Sequence, residues 1–389
     1  MFRTIVRLLL ATTLFAVCPS VKAEQPVGLG KPPIVVPAID GILAAFQTHS
    51  LVGIGDKHNL AQELDFYGAL VRDPRFAQQV GNVVVEFGGA AHQDIIDRYV
   101  AGDSVPYAEL RKVWTDVVGW VPTVQGLGYI NFYAQVRAAN QGLPADKRIR
   151  VWLGEPQIDW SKIKTFEDWQ RVAAFRDSHA AQIIEREILE RHRKALVIYG
   201  TGHFGERAES LELTQRWSEA MNKKLGIEGP LQFGLQTLVE QKFPGAFFVV
   251  IPYDGFLDPA CAKTFEKNKL SWPVPALASP VRGGALEAEL QVPGCRVVPL
   301  PTGAPPPDLT EADVRQMADK DDLRDKGLLS DALLYLGPAE KLTRTPINPQ
   351  MYMDQDYRDE VSRHNQILRG QPLGQTPPQN MLVSPRPWR

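Results

Sequence analysis

Apolar residues run along this chain in short unbroken stretches, separated by longer segments with helical spacing. Six stretches are rich in β-branched and apolar side chains: Leu51 to Gly55, Asn82 to Phe87, Ile149 to Leu153, Ala195 to Tyr199, Ala246 to Ile251 and Ala332 to Gly337. Such runs suit parallel strands covered on both faces; a half-exposed hairpin would alternate apolar and polar positions. After the first stretch, Asn59 with Gln62 three residues on reads as a capping pair. Leu60, Leu64, Tyr67 and Val71 then recur at helical spacing and make one apolar face. Tyr129 to Asn140, Thr165 to Arg193 and Leu211 to Leu225 are further helical segments. Strands alternating with helices predict a single α/β domain with a mainly parallel sheet flanked by helices.

The last third is less regular. Trp272 to Pro280 and Leu300 to Pro307 are Pro-rich and read as loops, while Glu311 to Lys326 reads as a charged surface helix. The α/β domain is expected over residues 24–345. A polar, Pro-rich tail over 346–389 follows, with its last residues expected to be disordered.

The chemistry-bearing residues fall in a pattern. Each of the first four predicted strands runs into glycine and ionisable residues at its C-terminal end: Gly55-Asp56-Lys57-His58, Glu86-Phe87-Gly88-Gly89, Gly154-Glu155-Pro156 and Gly200-Thr201-Gly202-His203. In an open parallel sheet these ends share one edge, and ligands bind in the crevice there. Asp56, His58, Glu86, Glu155 and His203 are therefore expected to be neighbours in space. His58 also precedes a predicted helix, whose free N–H groups suit an oxyanion or a carboxylate. Farther along, Trp169, Val172, Ala173, Ala180, Ile183 and Ile184 form a stripe, with Arg176 inside it and Asp177 and His179 at its flank. A charge in an apolar stripe is costly unless paired, so Arg176 is expected to reach Glu86 or Glu155. His49, His92, His192 and His364 are expected at surface or helix positions without a matching partner. Trp114, Trp120, Tyr129, Phe132 and Tyr133 read first as core and second as the lining of a cleft.

The N-terminus changes the expected compartment. Arg3 and Arg7 precede an apolar run from Leu8 to Val17, and Val21-Lys22-Ala23 closes it as a cleavage signal. Residues 1–23 thus read as a signal peptide and the chain as periplasmic or secreted; Cys18 leaves a lipidated alternative open. Removing that segment lowers the formal charge from -2 by three, to -5. The acidity disfavours a nucleic-acid partner, and no other run is long enough for a stable membrane span. Cys261 and Cys295 remain, an even pair that suits a disulfide in an oxidising compartment.

These residues carry a family resemblance. Gly55-Asp56-Lys57-His58 resembles the G-E-x-H opening of the erythromycin-esterase and ChaN-like haem-uptake (Tiki) superfamily, with Asp in place of Glu. Glu86 resembles its second acidic residue, and Arg176-Asp177-Ser178-His179-Ala180 its R-D-x-x-M-A helix, with His179 in place of Met. Gly200-Thr201-Gly202-His203 is similar to its late strand-end histidine. The likeness covers roughly Val35 to Gly337. It implies one of three activities: hydrolysis of a lactone by histidine-assisted water, metal-dependent proteolysis, or haem binding.

Three classes of function follow. The first is a hydrolase of an ester, lactone or amide, acting on a small molecule or peptide. His58 or His203 would be its general base, Glu86 and Asp56 would orient the imidazoles, and Arg176 would stabilise an oxyanion or fix a carboxylate. No G-x-S-x-G nucleophile elbow is present, which favours direct attack by water. A divalent metal, if used, would be held by His58, Glu86 and His203, because imidazole and carboxylate suit Zn²⁺ or Mn²⁺. The second class is a binding protein for haem or another planar ligand, and the third an inert interaction module.

Overall fold

The computed structural model describes residues 30–119, 126–204, 222–223, 225–227, 234–254, 259–290, 292, 295, 330–374 and 386–387. The expectations for the signal segment, Trp120, the Leu300–Pro307 loop, the Glu311–Lys326 helix and nearly all of the Leu211–Leu225 helix lie outside the described residues.

Eight strands form one sheet: β1 Ile34–Pro37, β2 Leu51–Asp56, β3 Asn82–Gly89, β4 Arg150–Glu155, β5 Ala195–Gly200, β6 Phe247–Tyr253, β7 Ala276–Ser279 and β8 Ala332–Tyr335. Their spatial order is β1-β7-β8-β6-β2-β5-β3-β4. The run β8-β6-β2-β5-β3-β4 is parallel throughout. Every residue of β2, β3 and β5 is buried. Val52, Ile54, Val83, Val85, Leu196 and Ile198 face one apolar layer, while Val84, Val197 and Tyr199 face another with Ala180 and Ile184. The α/β architecture with helices on both faces is therefore as the apolar runs imply.

Four local expectations are corrected. The Trp272–Pro280 stretch holds β7, which pairs antiparallel with both β8 and β1. Its prolines flank the strand at positions 275 and 280, where no ladder N–H is lost. Asn59 does not cap the helix α1, Ala61–Arg72: it adopts a left-handed φ of 73°, and Leu60 stands at the N-cap without a side-chain bond. Asn tolerates that conformation, and its N–H donates to Tyr129 Oη at 3.0 Å. Helix α2, Leu127–Asn140, carries Tyr129.

The expected Thr165–Arg193 helix is broken. Thr165 and Asp168 form a capping box for α3, Phe166–Ala173, and α4 begins afresh at Arg176 and runs to Ile183. A π-helical turn over Ile184–Leu189 continues it. Finally, the polar stretch after Arg344 holds α5, Gln355–Arg369. Its Tyr357, Val361 and Leu368 are buried at helical spacing, and Trp114 Nε1 donates to Tyr357 Oη at 2.9 Å. The polarity of its other positions conceals this stripe from a composition-based reading.

Cys261 and Cys295 are disulfide-bonded. No helix among the described residues is long and apolar enough to cross a membrane.

Candidate functional site

Parallel pairing alone brings the strand ends together. Asp56 of β2 lies opposite Gly200 of β5, and Val85 of β3 lies opposite Ile198 of β5 and Leu153 of β4. Between Val85 and Gly89 the β3–β4 register shifts, a bulge containing Glu86. Bulges re-aim side chains where pairing ends. Because β5 separates β2 from β3, His203 sits between Asp56 and Glu86 in the order of the edge, not in the order of the sequence.

On one face, Asp56 is buried and holds His58. His58 Nδ1 lies 2.7 Å from Asp56 Oδ2. Tyr129 Oη donates to the same oxygen at 2.6 Å, and Tyr67 Oη approaches Oδ1 at 3.3 Å. With Nδ1 committed to a carboxylate, Nε2 is the ring nitrogen left for a further contact, and the side chain remains 45 % exposed. Gly200 makes room for that nitrogen. A Cβ there would stand 3.0 Å from His58 Nε2 and 3.2 Å from Glu86 Oε2.

Across the sheet edge, Arg176 bridges the two glutamates. Its Nη2 contacts Glu86 Oε1 at 2.5 Å and Glu155 Oε1 at 2.7 Å, and its Nε donates to Glu155 at 2.9 and 3.0 Å. Placing Arg176 in the first turn of a new helix is what allows this reach. The backbone N–H of Gly200 donates to Glu86 Oε2 at 2.5 Å. His203 is clasped at both nitrogens: Nδ1 by Asp177 and Nε2 by Glu86 Oε1 at 3.3 Å. The Gly234 N–H in turn donates to Asp177.

These contacts set the charges. Burial penalises a charge on His58, but the hydrogen bond to Asp56 and the negative charges of Glu86 and Asp56 outweigh it and push the imidazole up to about 9. Burial likewise works against a charged His203, and Asp177 and Glu86 overcome it, so its titration is also raised. Glu86 is held well below the usual carboxylate range: burial opposes its charge, and His203, Arg176 and His58 together prevail. Glu155 is raised, because its complete burial outweighs the pull of Arg176.

Asp56, His58, Glu86, Glu155, Arg176 and His203 thus cluster at one edge of the sheet. Arg176 takes the carboxylate-fixing position of the two expected of it. Asp177, Tyr129, Tyr67 and Glu63 join the network without having been singled out as site residues. Each left a trace: Asp177 adjoins Arg176, and Glu63 is a carboxylate one helical turn before Tyr67 on the apolar face of α1. His179 Nδ1 donates to the Gly154 carbonyl, 2.9 Å away.

The expectation for two of the remaining histidines changes, while the described aromatics are core, as first read. His92 has a partner, with Nε2 2.9 Å from Asp116. His364 is fully buried and stacks on Trp160 at 3.7 Å. Trp114, Tyr129, Phe132 and Tyr133 are core, with only the Tyr129 hydroxyl turned to the site. Among the described residues no group of three His, Cys, Asp or Glu side chains is arranged to hold a metal ion. Between Glu86 and Glu155 the cation is the guanidinium of Arg176.

No family model and no curated protein matches the sequence. Solved structures with distant likeness include the type III effector HopBA1, at 14 % identity over 60 % of this chain and 89 % of that one, with a TM-score of 0.35. A haem-bound ChaN of Campylobacter jejuni is 12 % identical over 59 % of this chain and 93 % of its own, also at 0.35. A Bacillus cereus protein reaches 0.46 at 11 % identity, covering 82 % of this chain and 97 % of its own. A ChaN structure thus stands among the distant neighbours.

Proposed function

We propose that the chain is a hydrolase of an ester, lactone or amide, in which His58 activates water as a general base. The observation that carries this is the Asp56–His58 pair: Nδ1 is fixed on a buried carboxylate at 2.7 Å, Nε2 is left as the second ring nitrogen, and the side chain is 45 % exposed. A fixed Nδ1–H sets the tautomer and makes Nε2 the proton acceptor. His203 is unsuited to that role, because Asp177 and Glu86 occupy both its nitrogens. Neutral His58 would take a proton from water at Nε2 as the water attacks the carbonyl. The imidazolium so formed is stabilised by Asp56 and Glu86, and it returns the proton to the leaving oxygen or nitrogen.

The charge state of His58 gives this reaction a signature. With the imidazole pushed up to about 9, only about 1 % of it is neutral at pH 7. Rates should climb with pH toward about 9 and not level off near neutrality. The test is a screen of chromogenic esters, lactones and amides from pH 6 to 10, with His58→Ala beside the parent and circular dichroism as a check of folding. Loss of the base should cost roughly 10²- to 10⁴-fold in turnover. Undiminished hydrolysis by folded His58→Ala removes the proposal. A saturable haem band shift lost in the same variant, with no hydrolysis of any substrate, would replace it with ligand binding.

A further inference from the structure

Behind the Asp56–His58 pair lies a second carboxylate that the hydrolytic step does not use. Glu63, in the first turn of α1, is fully buried. Its Oε2 accepts the backbone N–H of Lys57 at 2.9 Å, and its Oε1 lies 2.5 Å from Tyr67 Oη. The same phenol oxygen is 3.3 Å from Asp56 Oδ1. Two carboxylates therefore share one phenol, and a phenol has a single proton to donate. Either one contact is between unprotonated oxygens, which a buried site tolerates poorly, or one carboxyl group carries a proton of its own.

The partners decide which one. Asp56 is surrounded by donors, namely His58 Nδ1, Tyr129 Oη and Tyr67 Oη. Apart from the shared phenol, Asp56 has two donors and Glu63 has one, a backbone N–H; the charged groups near Glu63 are Asp56, which opposes its ionisation, and Lys57, which favours it. Complete burial and the neighbouring Asp56 raise Glu63 well above the usual range, in agreement with the count of donors.

We propose that Glu63 and Tyr67 are positioning residues for His58: Glu63 keeps a proton at neutral pH and donates it to Tyr67, whose hydroxyl donates to Asp56. The four groups form one network: Glu63 donates to Tyr67, and Tyr67 and His58 Nδ1 both donate to Asp56. Asp56 is left as the single charge of the carboxylate pair, with its lone pairs filled and its orientation fixed. The contact between Glu63 Oε1 and Tyr67 Oη is then the carboxylic O–H bond, and the 3.3 Å contact to Asp56 the phenol's own donation. The proposal rests on Asp56–His58 being the acting pair, but the proton on Glu63 is detectable whether or not the chain hydrolyses anything.

Infrared difference spectroscopy of the purified chain reads that proton directly. A carbonyl stretch of a buried carboxylic acid should be present at pH 7 and absent in Glu63→Gln, with no such band in the parent overturning the proposal. The amide of Gln donates to Tyr67 and accepts from Lys57, as the protonated acid does. The His58 titration midpoint, followed by NMR, should therefore move by less than about 0.3 pH unit in this variant. A fall of about one unit is what the loss of a nearby negative charge produces, and would show Glu63 ionised. Tyr67→Phe is the second variant. It removes a donor from Asp56, so the His58 midpoint should rise by about half a unit or more, and the infrared band should shift because the acid has lost its acceptor. A midpoint and a band both unmoved in folded Tyr67→Phe would take Tyr67 out of the network and sink the proposal. Where hydrolysis is measurable, Tyr67→Phe should lower kcat and leave KM unchanged.

Discussion

Replacing Arg176 by methionine isolates the energetics of the site. The guanidinium is 13 % exposed, Glu86 is 8 % exposed and Glu155 is wholly enclosed, so solvent screens these contacts little. Methionine fills much of the volume and removes the charge, leaving two carboxylates facing one another in the sheet edge. Breaking a buried pair by removing one partner costs about 3–5 kcal/mol, a large part of the roughly 5–15 kcal/mol that holds a domain folded. The sign of the pH dependence follows. In the parent, Glu86 titrates below its usual 4.5, so it contributes stability that is present above that value and lost as pH falls through its folded pKa. Without Arg176, Glu155, already raised in the parent, climbs further, while Glu86 rises but keeps the pull of His203 and His58. The folded variant then binds more protons than its unfolded chain, and its stability falls as pH rises. Urea unfolding at pH 5 and pH 8 should show a larger loss at pH 8, and adding Glu155→Gln should restore part of it. A loss under about 1 kcal/mol, of the size seen for exposed pairs, or the same loss at both pH values, would refute the reasoning.

Two further substitutions test the packing around the edge. Tyr199 is fully buried and its hydroxyl has no hydrogen-bond partner among the described residues, so Tyr199→Phe should be neutral or up to about 1 kcal/mol stabilising by urea unfolding. Clear destabilisation would reveal a partner for that hydroxyl. Gly200→Ala sets a methyl group 3.0 Å from both Nε2 and Cε1 of His58. The fold should survive, while any hydrolysis should drop at least about tenfold as the imidazole is displaced; unchanged turnover would place the reacting edge of His58 elsewhere.

Much of this site was legible because strand ends in a parallel sheet are coplanar whatever the strand order. Asp56, Glu86, Glu155 and His203 needed only that rule, and Arg176 only the cost of an unpaired charge. The interleaving of β5 between β2 and β3 was not legible, since strand order depends on long-range packing that apolar runs do not encode. Nor was the break before Arg176, because the stripe of apolar residues continues across it. Glu63 and Tyr67 were hidden by a different cause. On a helical face a buried carboxylate looks like a lapse in the apolar pattern until its partner across the loop is known. The same holds for α5, where five buried positions are outnumbered by polar neighbours.

Two histidines meet carboxylates here, and the same pairing gives them different capacities. His203 has spent both nitrogens and is a clasp between α4 and β3; His58 has spent one. The Asp56 bond that fixes the tautomer of His58 also makes its proton hard to remove, so positioning and basicity rise together. A histidine raised to about 9 contributes stability that is fully present below its ordinary 6.5 and is lost as pH rises through about 9. The neutral form that would accept a proton from water is thus the form in which the site is least held together. Base catalysis by His58 sets folding against turnover, and the arrangement favours folding at neutral pH. The fixed hydrogen bonds from Tyr129 and Tyr67 to Asp56 persist when His58 is neutral, so the carboxylate stays aimed at Nδ1 after the charge that drew it there is gone.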